Sequence, residues 1–512
     1  MIKGKCNLYV VFLLSVILLY YIWTALPGSY SYSPKVVAGN YYNLLANAFL
    51  NGQLHLDIKP KKELLALPDP YDPSQNCLYS LLDATLYNGK YYLYFGPTPV
   101  IIFYLPYKIL TGANLSNYWT VLALMFGSLI WAALLLKHLH KEYFGEAPLW
   151  MLFLAIGVLG FANIAPYMLR LTAHYQVAAS CAQFFLMGGI YFLCRAVDGS
   201  KSNLIFLIFG SLFLGLSVGS RLNFAFGCIA ILLMIIWLNR KKQFFGKKFL
   251  IGLLLPFSFC LFLLATYNYL RFGNPFEFGT TYQLCAINFR KIPLFNIKNI
   301  ILNLYIYLFH SPIISIYFPF IHLNEDLPKF LPRPECYLHE RITGIFPGVP
   351  YVLLGLLAPF VWLLSLYSTL RKMPKLNGFP SYEFSIIFSP AILILGSLLL
   401  LPFISIRYIA DFITLLILAS SIVWFYFDLK LIIRPYSRLF LRTVAAVCAL
   451  VSIVNGAAFG IAGSEYGPGL RGQRPEEFRK LESFFKPVSK VLAHFKKENG
   501  LSRPIEKQWI CR

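Results

Sequence analysis

The stretch Gly96-Pro97-Thr98-Pro99-Val100-Ile101-Ile102-Phe103-Tyr104-Leu105-Pro106-Tyr107-Lys108-Ile109-Leu110 decides the topology of the chain. Its apolar residues invite a membrane crossing. It is nevertheless shorter than the roughly 20 residues that span hydrocarbon, and three prolines interrupt it. Read as a juxtamembrane or re-entrant helix pressed on a bundle, it leaves everything from Pro27 to about residue 118 on one side of a membrane. Were it to cross, the alternation of helices before Trp119 would shift by one.

Working outward, the chain of 512 residues is 58% hydrophobic and only 13% charged. The apolar residues fall in runs of roughly 17–25, the length of a spanning helix, and the ten-residue alternation of a membrane barrel is absent. The fold class is therefore all-α and polytopic. Crossings are expected near residues 8–26, 119–137, 149–166, 174–194, 204–219, 223–238, 248–268, 348–370, 385–404, 409–427 and 442–462, about eleven by window hydropathy. The first run is long for a signal peptide and lacks a small-x-small cleavage site, so it reads as a retained helix with a cytoplasmic N-terminus.

The net charge of +23 raises nucleic acid as a partner. The basic residues, however, lie mostly in short loops: Lys137 to Lys141, Arg195 to Lys201, Arg240 to Lys248, Arg371 to Lys375 and Lys430 to Arg442. Strict alternation puts all five inside, the pattern of an orientation signal in contact with anionic membrane lipids. Nucleic acid is set aside, and a bacterial inner (plasma) membrane with an extracytoplasmic active side is expected.

On that outer side three regions stand out. The first is the loop 27–118 with its juxtamembrane helices. The second is the loop 271–345, whose part from Ile300 to Phe320 predicts an interfacial helix. The third is a small amphipathic tail, 463–512, following the membrane domain 1–462; its stretch Pro475 to Lys497 has apolar residues at helical spacing. Ten cysteines show no metal-ligand spacing. Cys77, Cys285, Cys336 and Cys511 fall in polar segments and could pair in an oxidising compartment.

Chemistry is expected where polar loops meet the bundle. The first loop gathers Asp57, Asp69, Asp72 and Asp83 in an acid-poor chain. In Leu67-Pro68-Asp69-Pro70-Tyr71-Asp72-Pro73 the aspartates double as turn formers, and Asn88-Gly89 is a hairpin signal. Asp83 precedes an aromatic stretch that includes Lys90 and Tyr94. A carboxylate against apolar surface has a raised pKa and suits a general base. The same face carries Arg170 and His174 in Arg-Leu-Thr-Ala-His, Arg221 in Gly-Ser-Arg-Leu-Asn, and Arg407 and Asp411 in Arg-Tyr-Ile-Ala-Asp. Guanidinium forks suit phosphate oxygens. The same arginines could simply snorkel to the interface, and Arg407 and Asp411 are spaced to pair along one helix. Arg271 and Glu277, in the turn after the helix near 248–268, could line a cavity mouth.

His322, Glu325, Asp326, Glu335, His339 and Glu340 cluster in the second loop. They match no metal motif and read first as solvated charge, leaving room for a divalent cation. The metalloprotease motif H-E-x-x-H is absent.

The order of these features resembles the GT-C superfamily of integral-membrane glycosyltransferases, most nearly the bacterial relatives of dolichyl-phosphate-mannose–protein mannosyltransferases. The stretches that carry the resemblance are Gly52 to Asp57, Asp69 to Pro73, Asp83 to Pro99, Gly219-Ser220-Arg221, Arg271 to Pro275 and Arg407 to Phe412. The resemblance implies a sugar donor on a polyprenyl phosphate and transfer, with inversion, to a lipid, glycan or protein acceptor. It also implies a first-loop carboxylate as base and basic residues on the lipid phosphate. The sequence departs from the pattern twice. Where many members have an Asp-Asp or Asp-Glu pair after the first helix, this chain reads Gly39-Asn40-Tyr41-Tyr42. Where many have Thr-Pro-Asp, it reads Thr172-Ala173-His174. A first-loop aspartate, Asp83 first and Asp72 second, would have to take the missing role. A transporter or flippase of lipid-linked saccharide and a non-catalytic scaffold are the alternative readings.

Overall fold

The computed structural model describes residues 2–26, 28, 40–198, 201–240, 242–371, 378–463 and 469–496. Outside these lie Gly39, Cys511, the end of the tail from 497 onward and parts of the basic loops near 199–200, 241 and 372–377.

The chain opens with α1 (Ile2–Ala25) and then α2 (Tyr41–Leu50). The stretch that decides topology becomes a wide turn, Val100–Tyr104, running into α3 (Leu105–Thr111). Gly112 closes α3 in the left-handed conformation glycine allows. At 1.5 Å per residue these two pieces together reach roughly 18 Å, well under the hydrocarbon thickness. They pack along α2 and keep Ile101, Ile109 and Leu110 exposed.

There follow α4 (Asn117–Tyr143), α5 (Leu149–Phe161), α6 (Ala165–Arg170), α7 (His174–Ala196), α8 (Leu204–Val218), α9 (Phe224–Asn239) and α10 (Lys247–Phe272). The second long loop carries α11 (Ile300–Phe309). The bundle is completed by α12 (Ala358–Arg371), α13 (Ser381–Leu398), α14 (Ala410–Lys430) and α15 (Pro435–Ala462), with α16 (Pro475–Phe484) and α17 (Lys486–Lys496) beyond it.

Among the described residues nine helical stretches are long and apolar enough to span a membrane, so the protein is a multi-pass α-helical membrane protein. The two other expected crossings exist as α8 and α9 but have only 15 and 16 residues. Apolar on all sides, the helices sort by packing: α14 is buried along nearly its whole length, while α10 exposes Ile251, Leu255, Phe259 and Phe262 on one side. Among the described residues the sheet content is four two-stranded pieces.

Contacts divide the helix ends into two faces. On one, Lys137 reaches Asn7, Arg195 reaches His138, Tyr143 donates to Glu383 and Lys242 lies over Tyr382. Asp428 is clamped there by Arg438 at 2.8 Å and Arg442 at 2.6 Å. The long loops gather on the other face. There the Thr98 amide donates to the Gly219 carbonyl at 3.1 Å, and the adjoining Gly96 comes so close that a Cβ would sit 1.9 Å from the same oxygen. Only glycine permits that approach.

Candidate active site

Asp83 is held at a junction of the two long loops. Just after it, β1 (Thr85–Tyr87) and β2 (Lys90–Tyr92) form a hairpin. Its tip is Asn88-Gly89, both at positive φ, as a two-residue hairpin turn requires. Asp83 itself has φ 61°, a left-handed conformation that aspartate tolerates better than most residues. Its amide donates to the Leu284 carbonyl at 2.8 Å, and the Leu284 amide returns a bond to the Ala84 carbonyl at 2.9 Å. The Gln283 side chain donates to Asp83 Oδ1 at 2.9 Å, and the Tyr41 hydroxyl donates to the Leu82 carbonyl. The carboxylate therefore cannot swing freely.

The Asp83 side chain is neither exposed nor sealed. Residues around it strip most of its hydration, and this burial raises its pKa from 3.8 to about 6 against the pull of the Arg407 charge and the Gln283 hydrogen bond. Part of its surface stays accessible, as do parts of Tyr94, Tyr175, Glu340, Arg407 and Tyr408. Groups that are deep yet touchable line a recess.

Two arginines stand in that recess, each fixed by its own acid. Arg221 Nη1 binds Asp411 at 2.9 Å, Asn223 donates to the other Asp411 oxygen at 2.7 Å, and the guanidinium lies 4.9 Å from the Tyr408 ring centre. Arg407 is paired with Glu340, its Nε donates to the Ser405 hydroxyl at 3.0 Å, and it lies 4.1 Å from the Tyr175 ring centre. Glu340 arrives there by strand pairing. β3 (Leu338–His339) runs parallel to β4 (Phe403–Ile404), and the Glu340 amide donates to the Ile404 carbonyl at 3.0 Å. The expected pairing of Arg407 with Asp411 along one helix is thus corrected. Arg407 precedes the α-helical run, so the two side chains diverge to different partners.

The other expected residues have other surroundings. Asp72 is half-buried and caps a short turn, accepting from the Ser74 hydroxyl at 2.8 Å and amide at 3.0 Å, which lower its pKa. Asp69 accepts from the Tyr71 amide and pairs with Lys291 at 3.0 Å; Lys291 keeps its pKa low. Asp57 and Lys90 are exposed. These four do not share the recess, because turn geometry and solvent claim them. Glu277 accepts from the Gly279 amide and the Thr281 hydroxyl and so shapes its own turn. Arg271 is buried, donating to the Leu93 carbonyl and to Asn268 at 2.7 Å each, where it fastens the first loop to α10.

Tyr94 stacks on Phe95 with ring centres 4.1 Å apart, and burial near Asp83 raises its phenol pKa. His174 is buried, with Tyr41 4.6 Å and Tyr175 3.9 Å away between ring centres. Arg170 turns to the other side of α6 and meets α15 and the tail. It shares no hydrogen-bond partner with Arg221 or Arg407.

Glu340, Ser405 and Gln283 are the recess residues that sequence reasoning passed over. Glu340 looked like one more solvated loop charge, and its partner lies 67 positions away. Among the described residues no three His, Cys, Asp or Glu side chains come together to hold a metal ion. The second-loop charges disperse instead: Arg341 pairs with Glu325, the His339 ring meets the Glu325 carbonyl, and Glu340 takes Arg407.

No family model matches the sequence, and no curated protein matches it. Among solved structures the chain is similar to ArnT from Cupriavidus metallidurans bound to undecaprenyl phosphate. The identity is 12% and the TM-score 0.40, over 88% of this chain and 77% of that one. The apo state of the same protein gives 12% and 0.39, over 89% and 77%. The chain is also similar to the archaeal oligosaccharyltransferase AglB from Archaeoglobus fulgidus in complex with an inhibitory peptide and a dolichol-phosphate. There the identity is 12% and the TM-score 0.45, over 93% of this chain and 59% of that one.

Proposed function

We propose that the protein is a glycosyltransferase that moves a sugar from a polyprenyl-phosphate donor to a hydroxyl-bearing lipid, glycan or protein acceptor. The reaction takes place in the recess on the loop-bearing, extracytoplasmic face. The observation that carries this reading is one carboxylate of raised pKa, Asp83, locked opposite the anchored guanidinium of Arg407. Tyr41, in the stretch that stands where the GT-C pattern has an acidic pair, packs on His174, in the stretch that stands where it has Thr-Pro-Asp, and interacts electrostatically with Asp83. Asp83 thus stands in the neighbourhood where that chemistry is expected.

In this reading the Asp83 carboxylate takes the proton of the acceptor hydroxyl as its oxygen attacks the anomeric carbon. A new C–O bond forms on one face of the sugar while the bond to the phosphate oxygen breaks on the other. The electron pair leaves with the phosphate, and the configuration inverts. Arg407 spends Nε on Ser405 and Nη2 on Glu340, and Arg221 spends Nη1 on Asp411. Each keeps further N–H groups for phosphate oxygens. The carboxylates that neutralise the two arginines also hold them still, so little motion is needed when charge develops on the leaving group.

The test is reconstitution of the purified protein in lipid discs with radiolabelled polyprenyl-phosphate sugars and a cell-envelope acceptor extract. Wild type should transfer label, and Asp83→Asn should lose it by roughly 100-fold or more. Absence of transfer with every donor, or full activity in Asp83→Asn, would overturn the proposal.

A further inference from the structure

Away from the recess, the tail folds back over the outer end of α1 and brings two arginines to one tryptophan. Arg170, at the end of α6, has its guanidinium carbon 5.7 Å from the Trp23 ring centre; Arg474, just before α16, has its own 5.0 Å away. The local bonds hold both in place. Arg170 Nε donates to the Gly460 carbonyl at 3.0 Å and Nη1 to Gln473 Oε1 at 3.3 Å, while Gln473 donates back to the Arg170 carbonyl at 3.0 Å. Arg474 Nη2 donates to the Trp23 carbonyl at 2.6 Å, and Nη1 pairs with Glu477 at 3.2 Å. Phe318, Leu470 and Phe478 form a small apolar cluster that seats the tail on the second loop.

The polar accounting does not close. Arg170 is 2% exposed, yet its Nη2 has no hydrogen-bond partner among the described residues, and neither does the buried Nε of Arg474. Two cations converge on the indole, and among the described residues the one acid bonded to either is Glu477, whose side chain is 46% exposed and also accepts from Trp23 Nε1. A buried guanidinium with an idle donor and a surplus positive charge is costly unless an anion completes it. The missing ligand needs at least two acceptor oxygens, a negative charge and a size that fits beside an indole. Trp23 marks the end of a spanning helix, where tryptophan sits at head-group level.

We infer that Arg170 and Arg474 form a second anion site that takes a phosphate ester at the membrane surface, one oxygen on Arg170 Nη2 and another on Arg474 Nε. Its occupant fastens the tail to α1. The site goes beyond the transfer chemistry proposed above and shares no hydrogen-bonding residue with that recess.

The full-length protein, purified in detergent and stripped of lipid, is titrated with three probes: phosphatidylglycerol, inorganic phosphate, and diacylglycerol as the phosphate-free lipid. Native mass spectrometry and the thermal midpoint are read together. Binding of phosphatidylglycerol alone identifies a lipid head group as the source; binding of inorganic phosphate as well identifies a site for free phosphate. Either result upholds the inference if binding weakens roughly tenfold or more in Arg474→Gln and in the charge-keeping Arg170→Lys, and persists in the exposed neighbour Arg471→Gln. The inference is overturned if neither phosphate probe binds wild type. Equal binding by Arg474→Gln and Arg170→Lys, or diacylglycerol binding as well as phosphatidylglycerol, would also overturn it.

Discussion

Replacing Asp83 by asparagine should make the protein more stable while abolishing its chemistry, and the gain should depend on pH in one direction. Asparagine suits the site: it tolerates φ near 61° as aspartate does, and its carbonyl oxygen still accepts from Gln283. What it removes is the ionisable proton. In the folded protein burial raises the Asp83 pKa from 3.8 to about 6, so the ionised form is the one the fold disfavours. Stability from this group is fully present below the unfolded value and is lost as pH rises through the folded one. At about 1.4 kcal/mol per pH unit, the interval between those values corresponds to about 3 kcal/mol as an upper bound. Wild type should carry that penalty above neutrality and lose it near pH 4; the variant should carry none at either pH.

The assay is the thermal midpoint of both proteins in the same detergent and at one scan rate, from pH 4.5 to pH 8. The difference should be smallest at the acid end, widen up to about pH 6 across the span between the unfolded and folded values, and then stay level, with the variant melting higher. A difference of constant size across the range, or a variant that melts lower at pH 8, would show that Asp83 is not a desolvated carboxylate and would remove the physical basis for treating it as a base.

The same titration should appear in the kinetics: kcat/KM should climb with pH through about 6, because the base must be ionised to accept a proton, and a flat acid limb would dissociate Asp83 from the reaction. Glu340→Gln should cut transfer roughly tenfold with little change in donor affinity, since it keeps a hydrogen bond to Arg407 but loses the charge that fixes it; single-turnover rates and donor titrations separate the two effects. Gly96→Ala should disrupt the seam between the first loop and the α8–α9 turn, where its Cβ would fall 1.9 Å from the Gly219 oxygen; a midpoint within a degree of wild type would contradict that close approach. On the far face, Asp428→Asn should destabilise the bundle by roughly 3 kcal/mol, because Arg438 and Arg442 would face each other without a counter-charge.

The membrane helices were legible because each spanning run must satisfy its backbone within itself, so length and hydropathy alone locate it. The shortness of the helix that ends at Thr111 was legible as well, through its prolines. Turn chemistry was legible too, in Asn88-Gly89 and in the Asp-Pro pairs. That same chemistry separates Asp69 and Asp72, which spend their oxygens on neighbouring amides, from Asp83, which spends one on a residue 200 positions away. What sequence cannot convey is pairing across such separations. Arg407 and Asp411 have helical spacing, yet each takes its partner from elsewhere in the fold, Glu340 through a two-residue strand pairing and Arg221 from the turn after α8. Arg170, like Arg221, stands at a helix end in the sequence, yet its partners Gly460 and Gln473 lie 290 and 303 positions away.

The bonds from Asp83 to Leu284 and Gln283 also set a timetable. The first loop is made early, but the backbone that seats Asp83 is not synthesised until about 200 residues later, which at the usual pace of translation is roughly 10–40 s. Glu340, which fixes Arg407, comes later still. During that interval the first loop is without its partners Gln283 and Leu284, while the helices between them are made one after another. The recess is therefore among the last parts of the protein to come into being. A chain stalled before residue 283 would have about half of its membrane helices in place and would lack Gln283, Glu340 and Arg407, the groups that complete the recess.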